Sequence, residues 1–268
     1  MTSRHVLITG ASSGIGAALA TEFAQAGDRV TMVARRGALL RQLSETMVGT
    51  TQVFACDLSQ PEQALGLIPQ CEQHFGPIDV LVNNAGQQPV VPAEQTDEQV
   101  LAAMLHLNLV TPLLMTRRVL PAMLARDAGT IVDVCSVAGL APTPGMWGYN
   151  ASKAGLGAAS ESLRGELRNT GVSVVTVYPG PVDTPMGRAG YAAYPAGWAL
   201  RLLPQGEPRE LARRIRTAVD LKQARVFYPR PYAVLRFFPW VARWALDRFT
   251  PRPVGPTPAA LPPAQPTG

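Results

Sequence analysis

The sequence predicts an α/β fold in which a doubly wound, mostly parallel sheet carries helices on both faces. Seven short segments are apolar without alternation, which is typical of strands buried on both sides. Stretches of helical periodicity separate them, and right-handed crossovers between such strands produce a doubly wound sheet. A glycine-rich loop, TGASSGIG at 9–16, directly follows the first strand and opens the first helix. These three observations indicate a single large α/β domain.

The elements alternate along the chain in the order that such a sheet requires. The predicted strands are residues 4–9, 29–34, 51–56, 78–82, 130–135, 172–177 and 224–227. The predicted helices are residues 14–26, 37–48, 60–75, 97–110, 112–126, 147–169 and 207–220. Residues 1–227 therefore form the predicted catalytic domain, with an insertion at 185–206 that we expect to act as a lid. An aromatic and basic extension follows at 228–250, and a proline-rich tail expected to be disordered occupies 251–268.

Charge and composition limit the function classes. The net charge is +5, but no run of basic residues exceeds a pair such as Arg35-Arg36, so a nucleic-acid partner is not expected. The three cysteines form no CxxC pattern, and the three histidines lack metal-ligand spacing and are expected at surface or helical positions. No metal is therefore expected. The chain starts directly with a strand, and no uncharged apolar run reaches the ~18–20 residues of a spanning helix. We expect a cytoplasmic protein, soluble or at most peripheral to a membrane.

The glycine-rich loop is typical of a phosphate-binding turn. Gly10 permits a tight turn, Gly14 lets the backbone approach a pyrophosphate, and Gly16 lets the helix pack closely on the strand. The helix N-terminus adds free N–H groups and the positive end of its dipole. The alternative is an ordinary turn between a strand and a helix, which the placement of the loop disfavours.

The end of the second strand predicts which dinucleotide binds. A fold that prefers NAD places an acidic residue about twenty residues after the loop, to bind the ribose hydroxyls. Here Ala34 occupies that place, and Arg35 and Arg36 follow. Because a guanidinium matches a 2′-phosphate in charge and geometry, we expect NADP(H) to be preferred over NAD(H). The alternative, a pair of surface arginines at a helix start, is weaker for Arg35 than for Arg36.

Tyr149 and Lys153 are spaced to lie on one face of a helix, four residues apart. A tyrosine with a pKa near 10 is a poor base at neutral pH. An ammonium about 4 Å away is worth roughly 4 kcal/mol at an effective dielectric near 20, which corresponds to about 3 pKa units. The choice of lysine is notable because the chain has 22 arginines and one other lysine, Lys222. Ser136 follows a predicted strand and has a hydroxyl that can donate to a substrate oxygen.

Several motifs occur in one order and resemble the short-chain dehydrogenase/reductase family over residues 4–227. They are TGxxxGxG at 9–16, NNAG at 83–86, Asn108, Ser136, YNASK at 149–153 and PGPVDT at 179–184. The resemblance implies a Rossmann-type sheet of seven strands in the order 3-2-1-4-5-6-7, and a homodimer or homotetramer. It also implies direct hydride transfer between a nicotinamide dinucleotide and a carbonyl or alcohol carbon, without a metal.

The resemblance assigns roles to individual residues. Tyr149 exchanges a proton with the substrate oxygen, Ser136 hydrogen-bonds that oxygen, and Lys153 binds the nicotinamide ribose and lowers the pKa of Tyr149. Asn108 holds a water that relays protons, and Thr184 contacts the nicotinamide carboxamide. Asp57 is expected to meet the adenine amino group. The cofactor-binding residues that we predict are Gly10, Ser12, Ser13, Gly14, Ile15, Gly16, Arg35, Arg36, Asp57, Leu58, Asn84, Ala85, Gly86, Tyr149, Lys153, Pro179, Gly180, Val182 and Thr184.

Two departures from the family pattern bear on the substrate. Cys135 stands where a second serine is frequent, and Trp147 stands where a small residue is frequent, so Trp147 could narrow the pocket. The lid carries few charges and six large side chains: Met186, Tyr191, Tyr194, Trp198, Leu200 and Leu202. These side chains indicate either an apolar carbonyl or alcohol substrate, such as a lipid, steroid-like, aromatic or terpenoid compound, or simple packing of the lid on the domain.

The extension at 228–249 has two interpretations. Its aromatic residues alternate with arginines, which suits an interfacial helix lying among lipid headgroups. The alternative is a helix that covers the substrate cleft or packs on a neighbouring subunit. Pro239 should break or kink the segment in either case. For the whole chain, the rivals to an enzyme of this type are a catalytically silent dinucleotide-binding module and an epimerase or dehydratase on the same fold, which usually carries a larger C-terminal substrate domain.

Overall fold

The protein was analysed as a computed structural model, which describes residues 3–195 and 204–253. Seven strands form one sheet in the order β3-β2-β1-β4-β5-β6-β7, and every pairing is parallel. The strands are β1 (His5–Thr9), β2 (Arg29–Ala34), β3 (Thr51–Ala55), β4 (Val80–Asn83), β5 (Gly129–Val134), β6 (Val172–Pro179) and β7 (Arg225–Tyr228). The predicted fold class and strand order are confirmed. Chain order reverses between β1 and β4, and in such sheets ligands bind outside the carboxyl ends of the strands at this point.

Helices cover both faces of the sheet. They are α1 (Gly14–Gln25), α2 (Gly37–Thr46), α3 (Pro61–Phe75), α4 (Glu98–Leu105), α5 (Thr111–Ala125), α6 (Trp147–Glu166), α7 (Pro185–Ala192), α8 (Pro208–Asp220) and α9 (Pro239–Phe249). The segment before α9, Arg230–Arg236, is a 3-10 helix, so the extension is interrupted ahead of Pro239 as the sequence predicts. The lid residues Trp198, Leu200 and Leu202, and the tail from residue 254, lie outside the described residues.

Two apolar cores lie on opposite faces of the sheet, and the side chains of each strand alternate between them. In β1, Val6 and Ile8 enter the core that α1 and α8 cover, whereas Leu7 enters the core that α3 and α5 cover. Phe23 of α1 is fully buried, and burying such a side chain is worth about 1.5–3 kcal/mol. Both faces of a strand are therefore apolar, which explains why the sequence shows no alternation.

Two local features differ from the sequence predictions. The helices expected at 97–110 and 112–126 form one continuous helical stretch, because a π turn at His106–Val110 joins α4 to α5 and Pro112 falls in the first turn of α5, where proline is tolerated. Glu98–Ala125 is consequently long and apolar enough to pass for a membrane span, but Met115, Val119 and Met123 pack into the core. His5 lies fully buried in β1, between Gly76 O and Thr31 Oγ1, rather than at the surface.

Candidate active site

The glycine-rich loop packs directly on the end of β4. Gly10 has a φ of +67°, and a Cβ added there would lie 2.7 Å from the Cα of Ala85. A Cβ at Gly16 would overlap the carbonyl oxygen of Gly10 and lie 2.6 Å from Asn84 Nδ2. Both positions therefore exclude any side chain. Because Gly10 and Gly16 have no side chains, the backbone of the loop can be approached from the carboxyl edge of the sheet. Helix α1 begins at this edge.

Thr9 and Asn84 hold this arrangement together. Thr9 Oγ1 accepts hydrogen bonds from the N–H groups of Asn84 and Ala85 and donates one to Val82 O. Asn84 Nδ2 donates to Thr9 O at 2.9 Å. The side chain of Asn84, predicted to bind the cofactor, is thus used to fix the glycine loop. Thr9 was missed in the sequence, although the first position of the TGxxxGxG motif is the signal that could have identified it.

The two arginines after β2 have different surroundings. Arg36 donates to Ser12 Oγ at 2.9 Å and to Ser13 Oγ at 2.7 Å, so its guanidinium lies beside the glycine loop. Arg35 is exposed, and within the described residues no hydrogen bond joins it to the loop. The sequence favoured Arg35, whereas the geometry places Arg36 with Ser12 and Ser13, both also predicted to bind the cofactor.

The loop after β6 approaches the glycine-rich loop. A Cβ at Gly14 would lie 3.2 Å from Thr184 Cγ2, so the PG segment reaches the glycine loop. Thr184 begins α7, and its Oγ1 accepts a hydrogen bond from Gly187 N. Val182 is buried and bridges to Gly206. Gly180 follows Pro179, the last residue of β6, and lies against the ring of Tyr232 from the C-terminal extension.

Three other predicted cofactor residues lie near the same edge. Asp57 follows β3, and its Oδ1 accepts hydrogen bonds from the backbone N–H and the hydroxyl of Ser59. Leu58 is buried, and its carbonyl accepts from Thr111 Oγ1 at 2.8 Å. Ile15 lies in the first turn of α1 and packs against the core that α1 covers. These contacts hold the loop after β3 in place, and the contact of Asp57 with adenine stays a prediction.

Tyr149 lies in the first turn of α6, beside Ser136. The Ser136 hydroxyl is near enough to act on the pKa of the phenol, and Ser136 Oγ accepts from Ala138 N at 3.1 Å. Tyr149 is only 8% exposed and packs among Met104, Met146 and other apolar residues. Burial raises the pKa of Tyr149 to about 12, and the Ser136 hydroxyl opposes this rise. The phenol is therefore protonated at neutral pH.

Lys153 lies one turn further along α6 but does not lower the pKa of Tyr149 in this structure. Its Nζ donates to the carbonyl oxygen of Val134 at 2.8 Å, and burial lowers the pKa of Lys153 itself. The expectation that a neighbouring ammonium brings the phenol toward neutral pH is thus not met, because desolvation dominates for both groups. A Cβ at Gly86 would lie 3.6 Å from Nζ, so Lys153 reaches the NNAG segment.

Asn108 lies in the π turn and is fully buried. Its Oδ1 accepts from Gln87 N at 2.9 Å, and its Nδ2 donates to Gln87 O at 2.9 Å and to Ser152 Oγ at 3.2 Å. Ser152 in turn donates to Tyr149 O. The side chain of Asn108 therefore positions the segment after Gly86, and its predicted role in holding a water stays a prediction.

Asp133 is a buried acid near this group that the sequence analysis did not single out. It accepts a hydrogen bond of 2.8 Å from Asn83 Nδ2, and burial raises the pKa of its carboxyl. The electrostatic interaction with Lys153 favours the charged form of both residues. An aspartate inside the otherwise apolar strand TIVDVC is the signal that could have drawn attention to it.

A small cleft lies directly in front of Tyr149. Its cavity volume is about 10 Å³, so it is nearly closed in this structure, and its lining is almost entirely apolar, including Pro89, Val91, Leu101, Met104 and Trp147. Trp147 stands at the rim, where its indole N–H donates to Thr96 Oγ1 at 3.1 Å. Trp147 therefore borders the cleft, as the sequence suggests.

The described part of the lid packs on the domain. Tyr194 is buried, and its hydroxyl donates to Pro144 O at 2.6 Å. Burial raises the pKa of Tyr191 to about 12, whereas Met186 is exposed. Tyr191 and Tyr194 therefore attach the described part of the lid to the domain.

A larger cavity of about 340 Å³ lies on the other side of α6. Lys153 lines it, but Tyr149 does not. Its charged lining includes Glu161 and Arg225, which form an ion pair with each other. Because these charges are already paired and the phenol is elsewhere, the cleft in front of Tyr149 is the better candidate for substrate.

The parallel sheet and the glycine-rich loop at the end of β1 define a Rossmann-type fold. Residues 4–194 match the family model described as short chain dehydrogenase. The chain belongs to the short-chain dehydrogenase family, a family of oxidoreductases.

Individual relatives agree with this assignment. A short chain dehydrogenase of Pseudocercospora fijiensis is 35% identical over 70% of this chain and 62% of its own length. A fatty acyl-CoA reductase of Mycobacterium tuberculosis is 37% identical over 69% of this chain and 65% of its own length. The chain thus spans less than two thirds of either protein. A crystal structure of a metagenomic short-chain oxidoreductase in complex with NADP is 31% identical, with a TM-score of 0.70 over 84% of this chain and 96% of that one.

Proposed function

We propose that the protein is an NADP(H)-dependent oxidoreductase that interconverts a carbonyl and a secondary alcohol on an apolar substrate. The observation that carries this proposal is the position of the Tyr149 phenol, which lines an apolar cleft and has the Ser136 hydroxyl close enough to lower its pKa. The pair presents a phenol and a hydroxyl to one substrate oxygen. The same arrangement has no use in a module that only binds a dinucleotide.

The residues around the cleft edge fit a nicotinamide dinucleotide. Side chains are excluded at Gly10 and Gly16, so the backbone of the loop is free to approach a pyrophosphate. Arg36, Ser12 and Ser13 form a group suited to a 2′-phosphate. When bound, the nicotinamide ring would supply or accept the hydride.

Tyr149 supplies the proton in the direction of reduction. Its raised pKa keeps the phenol protonated at neutral pH, which is the form that donates to a developing alkoxide. Ser136 orients the phenol and the substrate oxygen, and Lys153 reaches the NNAG segment, where we expect the nicotinamide ribose to lie. The apolar cleft excludes water from the reacting atoms.

The substrate class follows from the lining of the cleft. Side chains such as Val91, Leu101 and Met104 offer dispersion contacts and no charge, so an apolar carbonyl compound fits better than a sugar or an acid. The similarity to a fatty acyl-CoA reductase supports a lipid-like substrate. A lipid or steroid-type reductase therefore falls within the proposal.

A Tyr149→Phe variant tests the proposal. We expect it to bind NADPH as the wild type does, while NADPH oxidation falls by at least about 100-fold on a panel of ketones and aldehydes. Tyr178→Phe is the matched control, because its hydroxyl contacts Glu161 behind α6 and not the cleft. If wild-type protein binds NADPH but turns over no carbonyl or alcohol, the interpretation as a catalytically silent dinucleotide-binding module replaces this proposal. If Tyr149→Phe keeps full turnover, Tyr149 is not the proton donor.

A further inference from the structure

The C-terminal extension displays an unusual concentration of exposed aromatic residues. No residue of α9 is buried, and its two tryptophans, Trp240 and Trp244, are 66% and 64% exposed. Phe237 and Phe238, directly before the helix, are 65% and 52% exposed. Scattered exposed apolar residues are normal, but a contiguous group of large ones marks an interaction surface.

The two tryptophans share one side of the helix. Trp240, Val241 and Trp244 are exposed, whereas Ala242, Ala245 and Leu246 are partly buried. Because positions i and i+4 lie on the same helix face, the tryptophans point away from the domain while the small residues and leucine face it. We call the residues Phe237, Phe238, Trp240, Val241 and Trp244 the docking face.

The charge around the docking face is positive. Residues 230–249 contain four arginines, Arg230, Arg236, Arg243 and Arg248, and a single acid, Asp247. Arg236 and Arg248 lie over the rings of Phe237 and Phe249. Tryptophan and arginine together suit the boundary between headgroups and acyl chains of an anionic bilayer, because the indole lies at the boundary and the guanidinium pairs with phosphate. A protein partner would need a matching acidic and apolar surface.

The extension is tied to the mouth of the catalytic cleft. Arg243 Nε donates to Leu140 O at 2.9 Å, which attaches α9 to the loop between Ser136 and α6 at the side of the larger cavity. Beyond α9, Arg252 forms an ion pair with Glu94, and a Cβ at Gly145 would lie 2.7 Å from Pro253. Gly145 also lines the cleft in front of Tyr149. A membrane or partner that binds α9 would therefore lie beside the entrance of the cleft.

We propose that the docking face binds an anionic lipid bilayer and thereby places the cleft entrance at the membrane, where an apolar substrate dissolves. The docking itself stands on the aromatic residues and arginines of the extension. Its use in delivering substrate rests on the proposed function. Binding and turnover are accordingly measured separately.

The test uses the full chain and co-sedimentation with phosphatidylcholine vesicles that contain about 30% phosphatidylserine. The wild type is expected to sediment with these vesicles and at least about tenfold more weakly with phosphatidylcholine alone. Trp240→Ser/Trp244→Ser is expected to reduce binding to the anionic vesicles by at least about tenfold, and Arg248→Gln by a smaller factor.

Controls come from exposed residues elsewhere. Val48 and Leu221 are 79% and 65% exposed, so Val48→Ser/Leu221→Ser removes as many exposed apolar side chains without touching α9. Arg213→Gln removes an exposed positive charge from α8. Both controls should sediment as the wild type does. All variants should keep their thermal midpoint and their turnover of a water-soluble ketone, which reports on the proposed function independently.

Three results would overturn the proposal. The first is no sedimentation of the wild type with anionic vesicles, and the second is equal binding by the tryptophan variant. The third is a concentration-dependent dimer, seen by light scattering, that the tryptophan variant abolishes while vesicle binding is absent. That last result would assign the face to a second copy of the chain.

Discussion

The ammonium group of Lys153 donates a hydrogen bond of 2.8 Å to the carbonyl oxygen of Val134. This contact ties α6 to the end of β5 and holds the side chain in a closely packed place, since Lys153 is only 4% exposed. A Cβ at Gly139 would lie 2.9 Å from the Lys153 carbonyl carbon, so the helix and the preceding loop touch backbone to backbone. The ammonium therefore has a defined place, with Val134 O as its hydrogen-bond acceptor and the NNAG segment beside it.

Lys153→Arg is expected to lower kcat by roughly 100-fold although it keeps the charge, because a planar guanidinium does not place one donor against Val134 O and the NNAG segment as the compact ammonium does. Steady-state kinetics with saturating NADPH measure the effect. Lys222→Arg is the matched control, since Lys222 is the other lysine of the chain and lies exposed beyond α8. Wild-type turnover in Lys153→Arg would contradict the argument.

Gly16→Ala is expected to lose stability and dinucleotide affinity. The new Cβ would overlap the carbonyl oxygen of Gly10, and overpacking of this kind costs about 1–3 kcal/mol. Thermal unfolding and NADPH titration by fluorescence measure the two effects. Gly66→Ala is the control, because Gly66 lies in α3 with nothing within 4 Å of an added Cβ. That variant should gain about 0.5–1 kcal/mol. Equal behaviour of the two variants would show that the loop does not need its close approach.

The fold could be predicted because it follows from local patterns. Apolar segments such as RVTMVA are stable only when both faces of the strand are buried. The glycine spacing of TGASSGIG predicts the turn between β1 and α1. Helical spacing also placed Tyr149 and Lys153 on one helix correctly. These features depend on backbone periodicity, which a sequence displays directly.

The details of the site could not be predicted because they depend on the side-chain conformations and on the partners that the terminal groups reach. Lys153 and Tyr149 are one turn apart, but the ammonium turns to Val134 O, and burial then determines the pKa of the phenol. Arg35 and Arg36 are adjacent in sequence, but only the fold decides which guanidinium reaches Ser13. The π turn at His106–Val110 has no clear sequence signature either.

Arg36→Gln is expected to lower kcat/KM with NADPH by roughly 10- to 100-fold and to leave kcat/KM with NADH nearly unchanged. A charge-assisted hydrogen bond to the 2′-phosphate is worth about 1.5–3 kcal/mol and exists only for NADPH. Arg35→Gln, measured alongside, should have the smaller effect, because Arg36 and not Arg35 donates to Ser12 and Ser13 of the glycine loop. Equal use of NADH and NADPH by the wild type would refute the assignment of both arginines.

Alkaline conditions are expected to destabilise the fold through its buried tyrosines. Burial raises the pKa of Tyr149 and Tyr191 to about 12, and it also raises the pKa values of three more tyrosines: Tyr178, Tyr194 and Tyr232. Each remains protonated in the folded chain when it would ionise near pH 10 in the unfolded chain. Stability is therefore complete below about pH 10 and falls as the pH rises toward the folded pKa values. Urea unfolding at pH 8 and at pH 11 measures the change.

Tyr149→Phe isolates the part of this pH dependence that belongs to Tyr149. Phenylalanine does not ionise, so this variant should lose about 1 kcal/mol less stability than the wild type between pH 8 and pH 11. The value follows because an unfolded-state phenol with a pKa near 10 is largely ionised at pH 11, whereas a folded-state phenol with a pKa of about 12 is not. An equal loss in both proteins would mean that Tyr149 has an ordinary pKa in the folded chain. The phenol would then be available as a base at lower pH, and the oxidation of alcohols would rise with pH near 10 rather than near 12.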